Sequence, residues 1–198
     1  MHGTNHNGNV GFTRAQLESF RNCEIADLVA PDLKLLFVGI NPGLWTAATQ
    51  TPFAHPGNRF YPALAQAGII PALPSFASGL SAADRQAFLD AGIGISNLVK
   101  RATVRADELS RDELRAGAAR LTADVARWKP AVVAIVGLTA YRMAFGRPKA
   151  RAGVQPENLA QAQLWVVPNP SGLNAHETIA SLATAYAEPA RAAGIITG

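Results

Sequence analysis

The polar side chains best placed for chemistry in this sequence are asparagines. Asn41 follows the apolar run Leu35-Leu36-Phe37-Val38-Gly39-Ile40 and precedes Pro42-Gly43, where a fixed proline dihedral and a permissive glycine stop the strand. Asn97 stands in the same relation to Ile93-Gly94-Ile95-Ser96. An amide offers a donor and an acceptor and no useful basicity, so it can orient a ligand but not take its proton. In open α/β sheets ligands collect just beyond the carboxyl ends of the strands, where both residues would fall. Taken alone, Asn41-Pro42-Gly43 reads as a turn, and Asn58 reads as a helix cap. Leu173, set between Gly172 and Asn174 on a proline-braced loop, is an apolar residue in an exposed position. Lys100 and Arg101 open a mixed-charge loop and are available to a phosphate backbone or to solvent.

The elements that must position these residues follow from pattern. Thr13-Arg14-Ala15-Gln16 has the form of a capping box before a short helix through about residue 21. A strand is predicted over residues 33–39, and Phe60, Tyr61, Leu64 and Ala67 share one face of a helix capped by Asn58. Residues 69–79 carry Pro71 and Pro74 and read as a surface connection. Ser81-Ala82-Ala83-Asp84 opens another helix, and residues 92–99 form a short strand. An amphipathic helix runs from residue 110 or 111 to 128, with Leu114, Leu121 and Val125 inward. The run Ala131-Val132-Val133-Ala134-Ile135-Val136-Gly137 is a strand buried on both faces. A helix ending near Gly146, an irregular stretch over 147–161, a strand at 164–167 and an alanine-rich helix over 176–193 complete the chain. This alternation predicts a single α/β domain, a three-layer sandwich with a central, mainly parallel sheet between helices. Residues 1–12 are too polar to fold alone and are expected to be a mobile segment before a domain spanning 13–198.

Composition sets further bounds. The 198 residues are 48% hydrophobic, enough for one sizeable core. A single cysteine, Cys23, excludes a disulfide framework or a cysteine-held metal within the chain, and no histidines and carboxylates cluster with ligand spacing. No apolar run reaches the roughly 18 residues of a membrane span, and the first residues lack the layout of a signal peptide. A cytoplasmic protein without metal or cofactor is therefore expected. The formal net charge of +4 permits a polyanionic partner without requiring one.

Three segments, Gly39-Ile40-Asn41-Pro42-Gly43-Leu44, Phe53-Ala54-His55-Pro56-Gly57-Asn58-Arg59-Phe60 and Asn169-Pro170-Ser171-Gly172-Leu173, together resemble the mismatch-specific uracil/thymine-DNA glycosylases of the uracil-DNA glycosylase superfamily. The likeness continues through Gly94-Ile95-Ser96-Asn97-Leu98-Val99-Lys100-Arg101-Ala102-Thr103 and covers the chain from about residue 33 to the last helix. It implies an enzyme that flips a uracil, or another modified pyrimidine such as thymine, out of duplex DNA containing G:U or G:T mismatches. The enzyme then hydrolyses the N-glycosidic bond and leaves an abasic site. It assigns Asn41 the positioning of the hydrolytic water, Leu173 with Gly172 and Asn174 the wedge in the stack, and Phe53 the face on which the base stacks. Ile40, Thr46, Asn58 and Asn97 fall at base-pocket positions, with Thr46 able to restrict thymine by its bulk. Lys100, Arg101 and Ser171 become candidates for the DNA backbone. Asp90, shortly before the second strand, is an alternative acid for the water. Acting mainly on base excision repair substrates, the protein is expected to work as a monomer near the nucleoid.

In the last motif bacterial members often carry Ser-Arg after the leucine, where this chain has Asn174-Ala175, so the arginine contact beside the widowed guanine is missing. Backbone groups around Gly172 and Asn174 remain as possible partners for that guanine. A DNA-binding module that flips bases without hydrolysis would also retain Leu173 and Phe53. A domain binding a free nucleotide would need a glycine-rich phosphate cradle, and neither Gly-x-Gly-x-x-Gly nor a P-loop is present.

Overall fold

The computed structural model describes residues 11–31 and 33–197. Of the segment expected to be mobile, residues 1–10 lie outside the described residues. Phe12, also assigned to it, packs edge-on against Trp45 with ring centroids 4.9 Å apart. Apolar contact therefore outweighs the polar composition at this point.

The chain runs α1 (Arg14–Glu18), β1 (Leu35–Gly39), α2 (Leu44–Thr49), α3 (Phe60–Gln66), α4 (Ala82–Asp90), β2 (Ile93–Asn97), a 3-10 turn (Ala106–Glu108), α5 (Arg111–Trp128), β3 (Val132–Val136), α6 (Leu138–Ala144), β4 (Gly153–Val154), β5 (Gln163–Val167) and α7 (Ile179–Ala192). The five strands form one sheet in the order β2-β1-β3-β5-β4. Its first four members are parallel, and β4 lies antiparallel on the edge of β5.

The period of two along each strand divides the core between the faces. Leu35 and Phe37 of β1, Ile93 and Ile95 of β2 and Ala134 of β3 join Phe60, Leu64, Phe88, Leu182 and Tyr186 on one side. Leu36, Val38, Val133 and Ile135 join Leu114, Leu121, Val125 and Tyr141 on the other. Helices α3, α4 and α7 thus cover one face and α5 and α6 the other, which is the three-layer α/β arrangement expected. No described helix is long and apolar enough to cross a membrane.

Capping boxes at Thr13, Ser81, Ser110 and Thr178 start their helices as local chemistry dictates. The α3 helix differs slightly from expectation. Arg59 is its N-cap residue, while Asn58 Oδ1 still accepts the Phe60 N–H at 2.9 Å. Helix α2 and the two-residue β4 carry too little periodicity to be read in advance. Ile69 and Ile70, placed by sequence on a surface connection, are buried against α3.

One close approach fixes the outer end of β2. A Cβ on Gly117 would stand 2.2 Å from the Leu98 carbonyl oxygen, and Arg120 Nη2 donates to the same carbonyl. Gly117→Ala is expected to destabilise the protein by about 1–3 kcal/mol despite the better helix propensity of alanine. Urea unfolding checks this: an unchanged midpoint would mean that α5 does not sit against residue 98.

Candidate active site

Asn41 lies two residues beyond β1, on a turn tied to the chain that leaves β2. Leu98 N–H donates to Gly39 O and Val99 N–H to Ile40 O, both at 2.9 Å, and Thr103 N–H donates to Pro42 O at 3.1 Å. The Asn41 side chain is held from one side only. Its Nδ2 donates to Pro42 O (3.2 Å), Arg101 O (3.1 Å) and Thr103 Oγ1 (2.8 Å). Carbonyl oxygens can only accept, so the amide must turn Nδ2 toward them and Oδ1 away. Oδ1 receives no hydrogen bond from a described residue, and Asn41 lines a cleft of about 360 Å³, a size typical of ligand pockets.

Thr103 secures that orientation. It is buried, and its hydroxyl donates to Arg105 O at 2.8 Å, which leaves a lone pair for Asn41 Nδ2. Sequence reasoning gave Thr103 no role, because its partner lies 62 residues away. Thr103→Val should slow any step that needs the Asn41 amide by about fivefold, the worth of one ordinary hydrogen bond. Thr103→Ser should restore it. Single-turnover rates check this, and a valine variant as fast as wild type would show that the remaining two bonds suffice.

The cleft is also lined by Phe53, Asn97, Thr46, Asn58 and Ile40. Asn97 is only 6% exposed, yet its side-chain amide bonds to no described residue. The amide atoms are not sealed from solvent but open onto the cleft, where they offer a donor and an acceptor. A Cβ on Gly39 would stand 2.6 Å from Asn97 Oδ1 and 3.1 Å from the Phe53 ring. Glycine at the end of β1 therefore lets both side chains close over the strand. Phe53 stacks on Phe60, centroids 4.1 Å apart and planes 22° from parallel, and holds a left-handed φ of 55°. That conformation is uncommon for an aromatic residue and marks a position enforced by its surroundings. Thr46, on the first turn of α2, is buried, and its hydroxyl has no described partner.

The far wall is the loop after β5. Leu173 at its tip is 89% exposed. Below the tip the loop is rigidly braced: Asn169 Oδ1 accepts Ser171 N–H at 2.9 Å, and Asn174 Nδ2 donates to Asn169 O at 3.1 Å. Tyr186 donates its hydroxyl to Pro168 O at 2.9 Å, and burial pushes this phenol up, so it stays a neutral donor. Arg59, another residue without an expected role, clamps the loop with bonds to Glu177 O, Ser171 O and Asn174 O. A Cβ on Gly172 would meet Gly57 O at 2.7 Å, so only glycine lets the two loops touch.

Residues 26–188 match the family model described as the Uracil DNA glycosylase superfamily. The chain belongs to that superfamily. Membership makes the protein a DNA glycosylase, a hydrolase that acts on uracil-type lesions in base excision repair, with DNA as its partner.

Several positions assigned by sequence are not brought to this glycosylase's cleft. Asp90 ends α4, before β2 begins, and its exposed carboxylate accepts from Gln86 Nε2 at 2.8 Å. Strand β2, Ile93–Asn97, carries the chain roughly 16 Å from there to the cleft, so Asp90 does not reach the Asn41 side chain. Lys100 is paired with Asp27 and donates to Ser96 Oγ at 2.9 Å. Arg101 binds Glu113 at 2.6 Å. Neither cation lines the cleft, and giving either to a phosphate would cost an internal ion pair. Asn174 turns its amide into the loop, its N–H donates to Ser171 O and its carbonyl accepts from Arg59. These groups are therefore not available to a guanine, whereas Ser171, Gly172 and Leu173 do face the cleft.

The Arg101–Glu113 pair instead steadies the segment whose carbonyl holds Asn41. Hydrogen bonds from Arg101 and then from the Ser110 N–H hold the Glu113 carboxyl down at about 2, against an ordinary 4.5. Its contribution to stability is complete above pH 4.5 and is lost as pH falls toward 2. The melting temperature of Glu113→Gln should accordingly fall less steeply than that of the wild type across this window. Parallel curves would remove the pair from the acid response.

Proposed function

We propose that this member of the superfamily is a monofunctional glycosylase. It flips uracil, and other modified pyrimidines that leave well as anions, out of mismatched duplex DNA, accepts thymine less well, and cleaves the N-glycosidic bond by hydrolysis to leave an abasic site. The observation that carries this reading is the one-sided fixing of Asn41, whose free Oδ1 shares a cleft with the unpaired amide of Asn97.

In this reading the flipped base stacks on Phe53 and its edge pairs with Asn97. Asn41 Oδ1 accepts a hydrogen from the attacking water and directs a lone pair at C1′. No carboxylate among the described residues lines the cleft, and the Nδ1 of its histidine, His55, is taken by the Gly57 N–H at 3.0 Å, so Asn41 has no carboxylate beside it to take the water's proton early. The base must leave with the bonding electron pair, and the Asn97 amide N–H stabilises the charge gathering on it. Water then adds to the electron-poor sugar carbon and, once bonded, gives up its proton, which restores the neutral base from the departed anion directly or through solvent. No lysine among the described residues lines the cleft either, which supports hydrolysis over amine-mediated strand cleavage. Leu173 fills the gap left in the stack.

Thr46 adds bulk to a pocket that must hold any 5-substituent, which favours uracil over thymine. With the Asn174 groups engaged inside the loop, the backbone of Gly172 and the Leu173 carbonyl, which have no described partner, are what the tip offers an opposite guanine. Uracil opposite guanine should therefore be preferred only modestly over uracil opposite adenine. Single-turnover excision from G:U, A:U and G:T duplexes and from single-stranded uracil tests this. Thymine removed as fast as uracil would contradict the role of Thr46, and an absolute need for guanine would contradict the account of the loop.

A further inference from the structure

We propose that the loop joining α6 to β4 is a second DNA contact, in which Lys149 and Arg151 bind phosphates of the duplex beside the wedge. The partner rests on the glycosylase reading; the cationic surface does not.

Residues 146–157 enclose a concave surface of about 540 Å³ lined by Arg147, Lys149 and Arg151. Arg147 is taken by Glu157 at 2.7 Å. Lys149 and Arg151 are exposed and pair with no described carboxylate. Their backbone is fixed from beneath. Arg142 donates to Ala150 O from Nε at 2.9 Å and from Nη2 at 2.6 Å. The buried Gln155 donates through Nε2 to Arg151 O at 2.8 Å and Gly153 O at 2.9 Å. Two free cations thus ride on a backbone already ordered, which lowers the entropy lost on binding.

The sheet topology brings the end of this loop to the wedge-loop end of the sheet. Gly153 lies opposite Val166 in an antiparallel pair, so the chain enters β4 from the end of the sheet at which β5 releases the wedge loop. Phosphate contacts fix the register of a protein on a duplex, and no lysine or arginine among the described residues lines the cleft. Lys100 and Arg101 are held by carboxylates, and Arg59 is spent on carbonyl groups. The basic loop supplies what the cleft omits. An open surface bearing alternate cations suits a phosphodiester backbone better than a single enclosed anion.

The test compares the wild type with Lys149→Ala/Arg151→Ala and with Arg127→Ala/Arg191→Ala. The latter pair removes the same charge from exposed positions beside the start of β3 and at the end of α7. Affinity for a uracil-free duplex is measured by fluorescence anisotropy across a salt series. The log–log salt dependence of the loop variant should be shallower by about 2, close to 0.9 per lost phosphate contact, while the control pair keeps the wild-type slope. Equal slopes for the two double variants would overturn the proposal. Single-turnover excision from a G:U duplex should show a raised half-saturation and an unchanged plateau rate in the loop variant. A collapsed plateau would place these residues in the chemistry and overturn it as well. Failure of the glycosylase reading would look different: the wild type would release no uracil, while the binding slopes would still report on the loop.

Discussion

Asn41→Ala is expected to lower the single-turnover rate of uracil excision by at least about a hundredfold, the scale of losing a positioned catalytic group. Duplex affinity should change little, since Asn41 sits inside the cleft and the wedge loop is braced independently of it. The loss falls on the chemical step because the alanine variant keeps the pocket but no longer orients the water. Asn41→Asp is the sharper comparison. A carboxylate is more basic, yet Pro42 O and Arg101 O would then face a carboxylate oxygen where they now accept from Nδ2. The aspartate variant should therefore remain well below the wild type. Rescue by aspartate would mean that basicity matters more than orientation and would overturn the one-sided amide as the basis of activity.

Leu173→Ala is expected to reduce excision from duplex DNA by about ten- to a hundredfold, reflecting part of the few kcal/mol needed to unstack a base. Excision from single-stranded DNA should be nearly unchanged, because no stack has to be filled. The side chain is 89% exposed, so the folded protein loses no packing and its melting temperature should not move. Rates on paired and unpaired substrates, taken with a melting curve, check this. Equal losses on both would move Leu173 from the wedge to the base pocket.

The strands and most helix starts were legible because their causes are local. Val132 to Val136 is apolar throughout and is buried on both faces, and the serine and threonine caps each find their N3 partner three residues on. Strand β4 escaped because two residues, one of them Gly153, carry no period, and its pairing depends wholly on β5. Asn41, Phe53, Asn97 and Leu173 were singled out by position and resemblance, and the fold gathers them at one cleft. What sequence could not provide was the state of each side chain. Nothing local separates Lys100, bound to Asp27 from 73 residues away, from Lys149, which has no described carboxylate partner. Thr103 and Arg59 acquire their functions from chain segments that only the fold brings to them. Asp90 shows the converse error, since nearness in sequence to β2 put it at the wrong end of that strand.

The most direct test is to count free uracil released from a G:U duplex by excess wild-type enzyme against the alkali-labile sites formed in the same strand. Hydrolysis by a water held on Asn41 predicts equal amounts of the two, with the strand intact until alkali is added. Saturated binding of the duplex with no free base released would contradict it.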